Sequence, residues 1–343
     1  MMKSNRASTA ALVATVFFAS WSSGALAWKE EGHKLVAQLA SELLTPAAKE
    51  QIKKLLNPDD APNITVAEAM KTAATKPDEL RKEKKYKETA KWHFVTIPLS
   101  SDGYDRDQHC PKSDCVVEKI TYYQNILKDQ TRSVGERKEA LTYLIHFVGD
   151  IHQPLHNADN GDTGGNEVWV SVGDGQGEPI NLHRFWDENS VKAIGNAFED
   201  KAKVLRSKIQ NEYQGLKNEP VNPGAWATES FKLAKNNAYT SEILEYWKEN
   251  KQDIKWAHEF NKKINRVNEN LKEKKKKIDE LKRLRYSDSE IHKKEEEARE
   301  YYISQVKIIN RQIIAVYNKT VKKKHNLAEY IELEDSVDSL KPL

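Results

Sequence analysis

A mainly α fold is predicted for this 343-residue chain on three observations. Apolar residues recur at three- and four-residue spacing along most of its length, the signature of one buried helix face. Alternating strand patterns are almost absent. A His-x3-Asp spacing occurs twice, at His146/Asp150 and His183/Asp187, and on a helix that spacing brings both side chains to one face.

The elements follow in order. Residues 1–27 carry Lys3 and Arg6, then an apolar stretch from Ala10 to Ala19, then Ala25-Leu26-Ala27 as an A-x-A cleavage site. This reads as a secretory signal peptide, outside the fold. The mature chain then begins at Trp28. Lys29–Leu44 is helical by its apolar spacing (Leu35, Val36, Leu39, Leu43). Thr45–Leu56 and Val66–Ala74 are helical too, separated by a turn at Pro58–Pro62, and Cys115–Asp129 and Ser133–Ile151 follow. Gly161–Gly177 is glycine-rich with a short β-like run at Glu167–Val172. Helices resume after Asn189, break at Val221-Asn-Pro-Gly224 and start again at Trp226.

Residues 248–300 differ in texture. More than half are charged, and sparse apolar positions (Ile254, Phe260, Ile264, Val267, Leu271, Ile278, Leu281) recur near helical spacing. Long exposed helices are expected, forming a hairpin that turns near Tyr286–Ser289, with a solvated face as the plain role of the charge. Apolar periodicity returns at Tyr301–Tyr317, and residues 319–343 are a polar, partly loose tail.

Lys+Arg total 55 against Asp+Glu 52, a net charge of +3, and the leader removes two of those positive charges. A uniformly basic nucleic-acid binder is excluded; local basic patches are not. No apolar run long enough to span a membrane follows the leader. Two cysteines, Cys110 and Cys115, are too few for a disulfide scaffold or a cysteine-built zinc finger, so a metal site must use His, Asp or Glu. In an exported chain the pair is most simply a small local disulfide, the alternative being two free thiols.

The chemistry-bearing residues cluster. Gln153-Pro-Leu-His156 follows the first His-x3-Asp pair, and Pro154 can turn His156 back toward it. Pro77-Asp78-Glu-Leu-Arg81 offers a carboxylate with a guanidinium one turn later, Trp92-His93-Phe94 sets a histidine among aromatics, and His33 falls in a first helical turn. Cleavage after Ala27 would also free the α-amine of Trp28, whose pKa near ~8 lets it deprotonate and ligate zinc.

Together these segments resemble the S-one/P-one nuclease family, the zinc-dependent single-strand-specific nucleases and 3′-nucleotidases. The resemblance rests on Trp28-x3-Gly-His33, Asp78-x2-Arg81, Trp92-His93-Phe94, His146-Phe-Val-Gly-Asp150-x2-Gln-Pro-Leu-His156, Gly164-Gly-Asn166 and Asn181-Leu-His183-x2-Trp-Asp187. It covers about 28–247 and 299–318. The cysteine pair also looks like a small disulfide loop of the family.

The resemblance implies a single helical domain of the zinc-dependent phospholipase C / S-one/P-one nuclease type over 28–318, with 248–300 as a charged helical insertion. It implies three zinc ions. Asp78, His93, His146 and Asp150 hold the first. Trp28, His33 and bridging Asp150 hold the second. His156, His183 and Asp187 hold a third, more exposed one. Imidazole and carboxylate are ordinary zinc ligands, and a water between two zincs becomes hydroxide near neutral pH. In-line attack of that hydroxide on phosphorus would cleave single-stranded DNA or RNA to 5′-nucleotides and release phosphate from 3′-nucleotides. Arg81 would stabilise the phosphate charge and Asp78 orient the water. Phe94 resembles the family's base-stacking aromatic, and Asn166 a base- or phosphate-contacting position. Thr96 stands where fungal members carry an Asp that helps read the base, so base preference does not transfer.

Two other readings compete. A zinc-dependent phospholipase C shares the fold type, but its last ligand is typically Glu where this chain has Asp187. The other is a non-enzymatic exported metal-binding or adhesive protein that uses 248–300.

Overall fold

The computed structural model describes residues 28–56, 64–170, 179–216, 220–301 and 304–305. The leader at 1–27, the Pro58–Pro62 turn, most of Tyr301–Tyr317 and the tail at 319–343 lie outside them. The chain is mainly α, as its periodicity predicts. Among the described residues the strands are β1, Trp169–Val170, and β2, Ile180–Asn181, paired antiparallel with Trp169 opposite Asn181. Among the described residues the β-like run forms a ladder at Trp169 and Val170, while 171 and 172 lie outside them. No described helix is long and apolar enough to cross a membrane.

The elements form two compact units, each built from three stretches of chain. The first comprises Met1–His93, Asp114–Gln153 and His183–Val221, over its described residues. It holds helices α1 (Glu30–Leu43), α2 (Pro46–Leu56), α3 (Val66–Leu80), α4 (Val116–Lys128), α5 (Val134–Ile151) and α6 (Phe198–Leu216). Helix α3 packs on both α1 and α5, and α4 packs on α5. Ala37, Met70 and Ala74 form a buried core, covered by Leu44, Ile52, Leu56 and Ile145. Small residues at these positions let helix backbones approach closely, which brings the polar side chains of the same faces together.

Three local features position the site. Helix α3 runs past the expected end at Ala74 to Leu80, through Pro77. Ala69, Met70, Ala73, Ala74, Pro77 and Asp78 are buried on one face, so packing extends the helix across the proline. That places Asp78 in the last turn. Helix α5 starts in a capping box between Ser133 and Glu136, and its whole length carries His146 and Asp150 into the interior. Helical structure resumes at Leu182 rather than after Asn189, and Phe185–Asn189 forms a π-helical turn. Such turns widen a helix locally and recur at functional sites.

The second unit comprises Phe94–Ser113, Pro154–Leu182 and Asn222–Leu343, over its described residues. An extended run pairs with the segment after Pro154: Val95 N–H donates to the His156 carbonyl at 2.8 Å, and Asp159 N–H to that of Ile97 at 2.9 Å. Helix α7 (Pro223–Leu233) is capped by the Asn222 side chain, with Pro223 in its first turn. Helix α8 (Ser241–Arg283) starts ahead of the charged stretch. The indole of its Trp247 donates to the Asn160 carbonyl at 3.1 Å. After a turn a second helix covers 288–301, bound back to α8 by Lys282–Glu295 at 2.8 Å and by Asn270 Nδ2 donating to the Tyr301 hydroxyl. The expected hairpin near Tyr286–Ser289 is therefore present.

Candidate metal centre

The first unit buries four ligand-type side chains from α1, α5 and the 3-10 segment Lys84–His93: His33 is 1% exposed, and His93, His146 and Asp150 are fully buried. His93 Nδ1 lies 2.9 Å from Asp150 Oδ2 and 2.9 Å from His146 Nε2. His146 Nε2 is 3.1 Å from the same carboxylate oxygen. Asp78 Oδ1 stands 3.8 Å from both histidine nitrogens. Ligand atoms around one tetrahedral zinc sit ~3.3 Å apart, given metal–ligand distances near 2.0–2.1 Å.

The histidine tautomer follows from packing. His146 Nδ1 donates to the Ala74 carbonyl at 2.6 Å, so its Nε2 presents a lone pair to the cluster. Carbonyl orientation of metal-binding imidazole is common, and here it depends on α3 lying against α5. His33 stacks on His146, ring centroids 3.9 Å apart and 14° from parallel. Neither ring nitrogen of His33 has a hydrogen-bond partner among the described residues. Leaving a buried polar group unsatisfied costs about 1–3 kcal/mol, which a bound cation removes. His33, His146 and Asp150 form one group able to hold a metal ion, and Asp78, His93 and His146 form another. The donor set fits zinc.

Without a metal the cluster holds a proton: burial is outweighed by Asp150 and Asp78, which raise the pKa of His146, and a bound dication would displace that proton. Burial lowers the His33 pKa and takes that of His93 down to about 4, against the pull of Asp150. Both are thus neutral imidazoles, the form that ligates. Burial would raise Asp150, but His146, His33 and His93 hold it well below the usual carboxylate range. Asp187 behaves oppositely: burial pushes its carboxyl well up, with Asp150 and Asp78 adding repulsion. A dication beside it reverses that balance.

The remaining candidates fall as follows. Arg81 caps α3, and its guanidinium meets Asp78 Oδ1 at 2.8 Å, both side chains largely buried. His183 Nε2, in the α-helical turn Leu182–Arg184, and Asp187 Oδ2, in the π-helical turn that follows, lie 3.6 Å apart. Trp28 packs with Leu35, Val191 and Ala202. A recess of about 390 Å³ reaches Asp78, lined in part by Lys29, Lys82 and Lys192. In the second unit His156 is 3% exposed, at the end of the short turn Pro154–His156. Phe94 is exposed at 37%, so it is not a core residue. Asn166 Nδ2 donates to the Thr163 carbonyl at 2.8 Å, in a turn where Thr163, Gly164 and Gly165 all have positive φ. Cys110 and Cys115 are disulfide-bonded. His152 is exposed and takes no place in the cluster.

Sequence reasoning missed three contributors. Gln153 is fully buried and donates to Asp187 Oδ1 at 2.6 Å; its place within the His146–His156 motif was the available signal. Gly149 packs against His33. The Ala74 carbonyl has no sequence signal, because a backbone group is recruited by packing.

Comparison with known proteins gives the family. The family described as S1/P1 Nuclease matches residues 28–316. Endonuclease 3 of Arabidopsis thaliana is 30% identical over 63% of this chain and 76% of its own length. Nuclease S1 of Aspergillus oryzae is 27% identical over 59% of this chain and 65% of its own, and Nuclease P1 of Penicillium citrinum 28% over 55% and 68%.

Proposed function

The chain belongs to the S1/P1 nuclease family, hydrolases of phosphoric ester bonds acting on nucleic acid, and from that premise we propose that it is an exported single-strand nuclease with 3′-nucleotidase activity and a three-zinc centre. The observation that carries this reading is the convergence of His93, His146 and Asp150, with ligand atoms within 3.1 Å of one another and no solvent exposure. Asp78 completes the first zinc site. Trp28, His33 and Asp150 hold the second, and His156, His183 and Asp187 the third. Bound zinc supplies Lewis acidity, lowering the pKa of water and offsetting phosphate charge.

The chain's own residues do the rest. Asp78 holds Arg81 at 2.8 Å, which fixes a permanent cation beside the cluster for the non-bridging phosphate oxygens. Asp78 also orients the attacking water. Gln153 fixes the Asp187 carboxylate, and the Ala74 carbonyl fixes the His146 ring. Phe94, exposed beside the ligand His93 in sequence, offers a ring face to an unpaired base. A duplex keeps its bases stacked on each other, so this contact favours single strands. Removal of 1–27 frees the Trp28 amine, and the disulfide-bonded Cys110 and Cys115 suit an oxidising compartment.

The test is metal analysis and turnover on protein that begins at Trp28. Three zincs per chain are expected, with cleavage of single-stranded DNA and RNA, slower cleavage of duplex, and phosphate release from 3′-nucleotides. Full activity after exhaustive chelation would refute the zinc reading, and turnover confined to phosphatidylcholine the nuclease reading.

A further inference from the structure

We propose that Glu188 is a positioning residue that clamps the mature N-terminus in place for metal binding, with Lys29 as its handle. This rests on Trp28 being the terminal zinc ligand. Three contacts fasten residues 28–29 to the segment after His183. The Lys29 backbone N–H donates to the Asp187 carbonyl at 3.4 Å. The Lys29 ammonium pairs with Glu188. The Trp28 ring packs with Leu35, Val191 and Ala202, and it folds so closely over the first turn of α1 that a Cβ on Gly32 would lie 2.9 Å from the Trp28 Cβ.

Glu188 is suited to the task. Its side chain is only 9% exposed. It accepts from Arg184 Nε at 2.6 Å and faces Lys192 Nζ at 3.5 Å. Arg184 and Lys192 flank it on its own helical segment, one turn to either side, whereas Lys29 comes from the start of the described chain. Glu188 therefore joins the N-terminal segment to the turns that bear His183 and Asp187. Neither Lys29 nor Glu188 belongs to the ligand set.

The physical gain is preorganisation. Ordering the backbone of a residue costs conformational entropy. A terminal amine must bear that cost on binding metal unless the chain is held beforehand. Charge-assisted bonds to a largely buried carboxylate are strong enough to hold it.

The experiment compares four proteins by zinc titration: wild type beginning at Trp28, Glu188→Gln, wild type with one Gly added before Trp28, and Glu188→Gln with that Gly. The added Gly blocks the amine and is expected to weaken one zinc of three. Glu188→Gln should weaken that zinc by at least about tenfold, the lower end for residues that orient a ligand. In the blocked protein Glu188→Gln should have no further effect. Wild-type zinc affinity in Glu188→Gln, or an equal further loss in the blocked protein, overturns the clamp. Equal zinc binding with and without the added Gly instead overturns the amine ligand itself, and the clamp with it. Lys29→Met, which leaves Glu188 and its bond from Arg184 in place, should weaken the same zinc by a similar factor, and wild-type affinity in that variant would equally overturn the clamp. This keeps the test decisive if Glu188→Gln folds poorly.

Discussion

Gly149 lies directly beneath the His33 ring: a Cβ built at Gly149 would stand 2.9 Å from His33 Nδ1 and 3.2 Å from its Cε1. The ring has little freedom to move, since it is 1% exposed and stacked on His146. In an unconstrained helix interior, Gly→Ala stabilises by about 1 kcal/mol. Here the sign should reverse. Gly149→Ala is expected to lower the melting temperature, by overpacking worth about 1–3 kcal/mol, and to weaken zinc at the His33 site. A more stable variant with unchanged zinc content would show that the ring yields at no cost.

Asp150 and Gln153 separate direct from indirect support of the metal. Asp150 meets His93 and His146 at 2.9 and 3.1 Å, whereas Gln153 acts only through Asp187. Gln153→Leu is expected to cost about 10–100-fold in zinc affinity or turnover, the range for a residue that orients a ligand. Asp150→Ala should exceed that range and lose more than one zinc, being shared between sites. Equal effects of the two changes would contradict the division of roles.

Phe94 gives a prediction about substrate rather than metal. Its 37% exposure leaves a ring face for a base. Stacking is worth about 1–3 kcal/mol per base, so Phe94→Ala should raise KM for single-stranded substrates by roughly 5–150-fold, with kcat and zinc content little changed. Phe94→Trp should retain low KM. A loss of zinc in Phe94→Ala would instead assign the residue to support of His93.

Most helices were legible because each buries one face, and burial imposes a period. The two His-x3-Asp pairs and their carboxylate neighbours were legible for the same reason, as spacing along one helix face. What escaped depends on partners distant in sequence. Helix α3 continues across Pro77 because α1 and α5 bury its face, which local propensity does not encode. The turn at Phe185–Asn189 is π-helical, yet the His183-x3-Asp187 spacing suits an α-helix equally well. Nothing local marks Gly149 as a contact position, because the His33 ring that packs on it comes from helix α1. Each unit is assembled from three separate stretches of chain, a division that leaves no mark on composition.

Asp162 carries the last prediction, a pH dependence of stability. It is fully buried in the second unit, where Oδ1 accepts from the Tyr239 hydroxyl at 2.9 Å and from Gly165 N–H at 3.0 Å. Its other oxygen, Oδ2, has no hydrogen-bond partner among the described residues. Burial, with Asp159 nearby, pushes its pKa up to about 6 from 3.8, although the Gly165 and Tyr239 bonds oppose the rise. A carboxyl raised on folding binds its proton more tightly in the native state. Its contribution is therefore most favourable below about pH 4, declines as pH rises from about 4 to about 6, and is constant above. Asp162→Asn keeps an acceptor for Tyr239 and Gly165 but cannot ionise. The variant should gain on wild type across that window, by up to about 3 kcal/mol at pH 7. Thermal melts at pH 4 and pH 7 measure the gain. A difference between the two proteins that is the same at both pH values would mean that Asp162 does not titrate in this range.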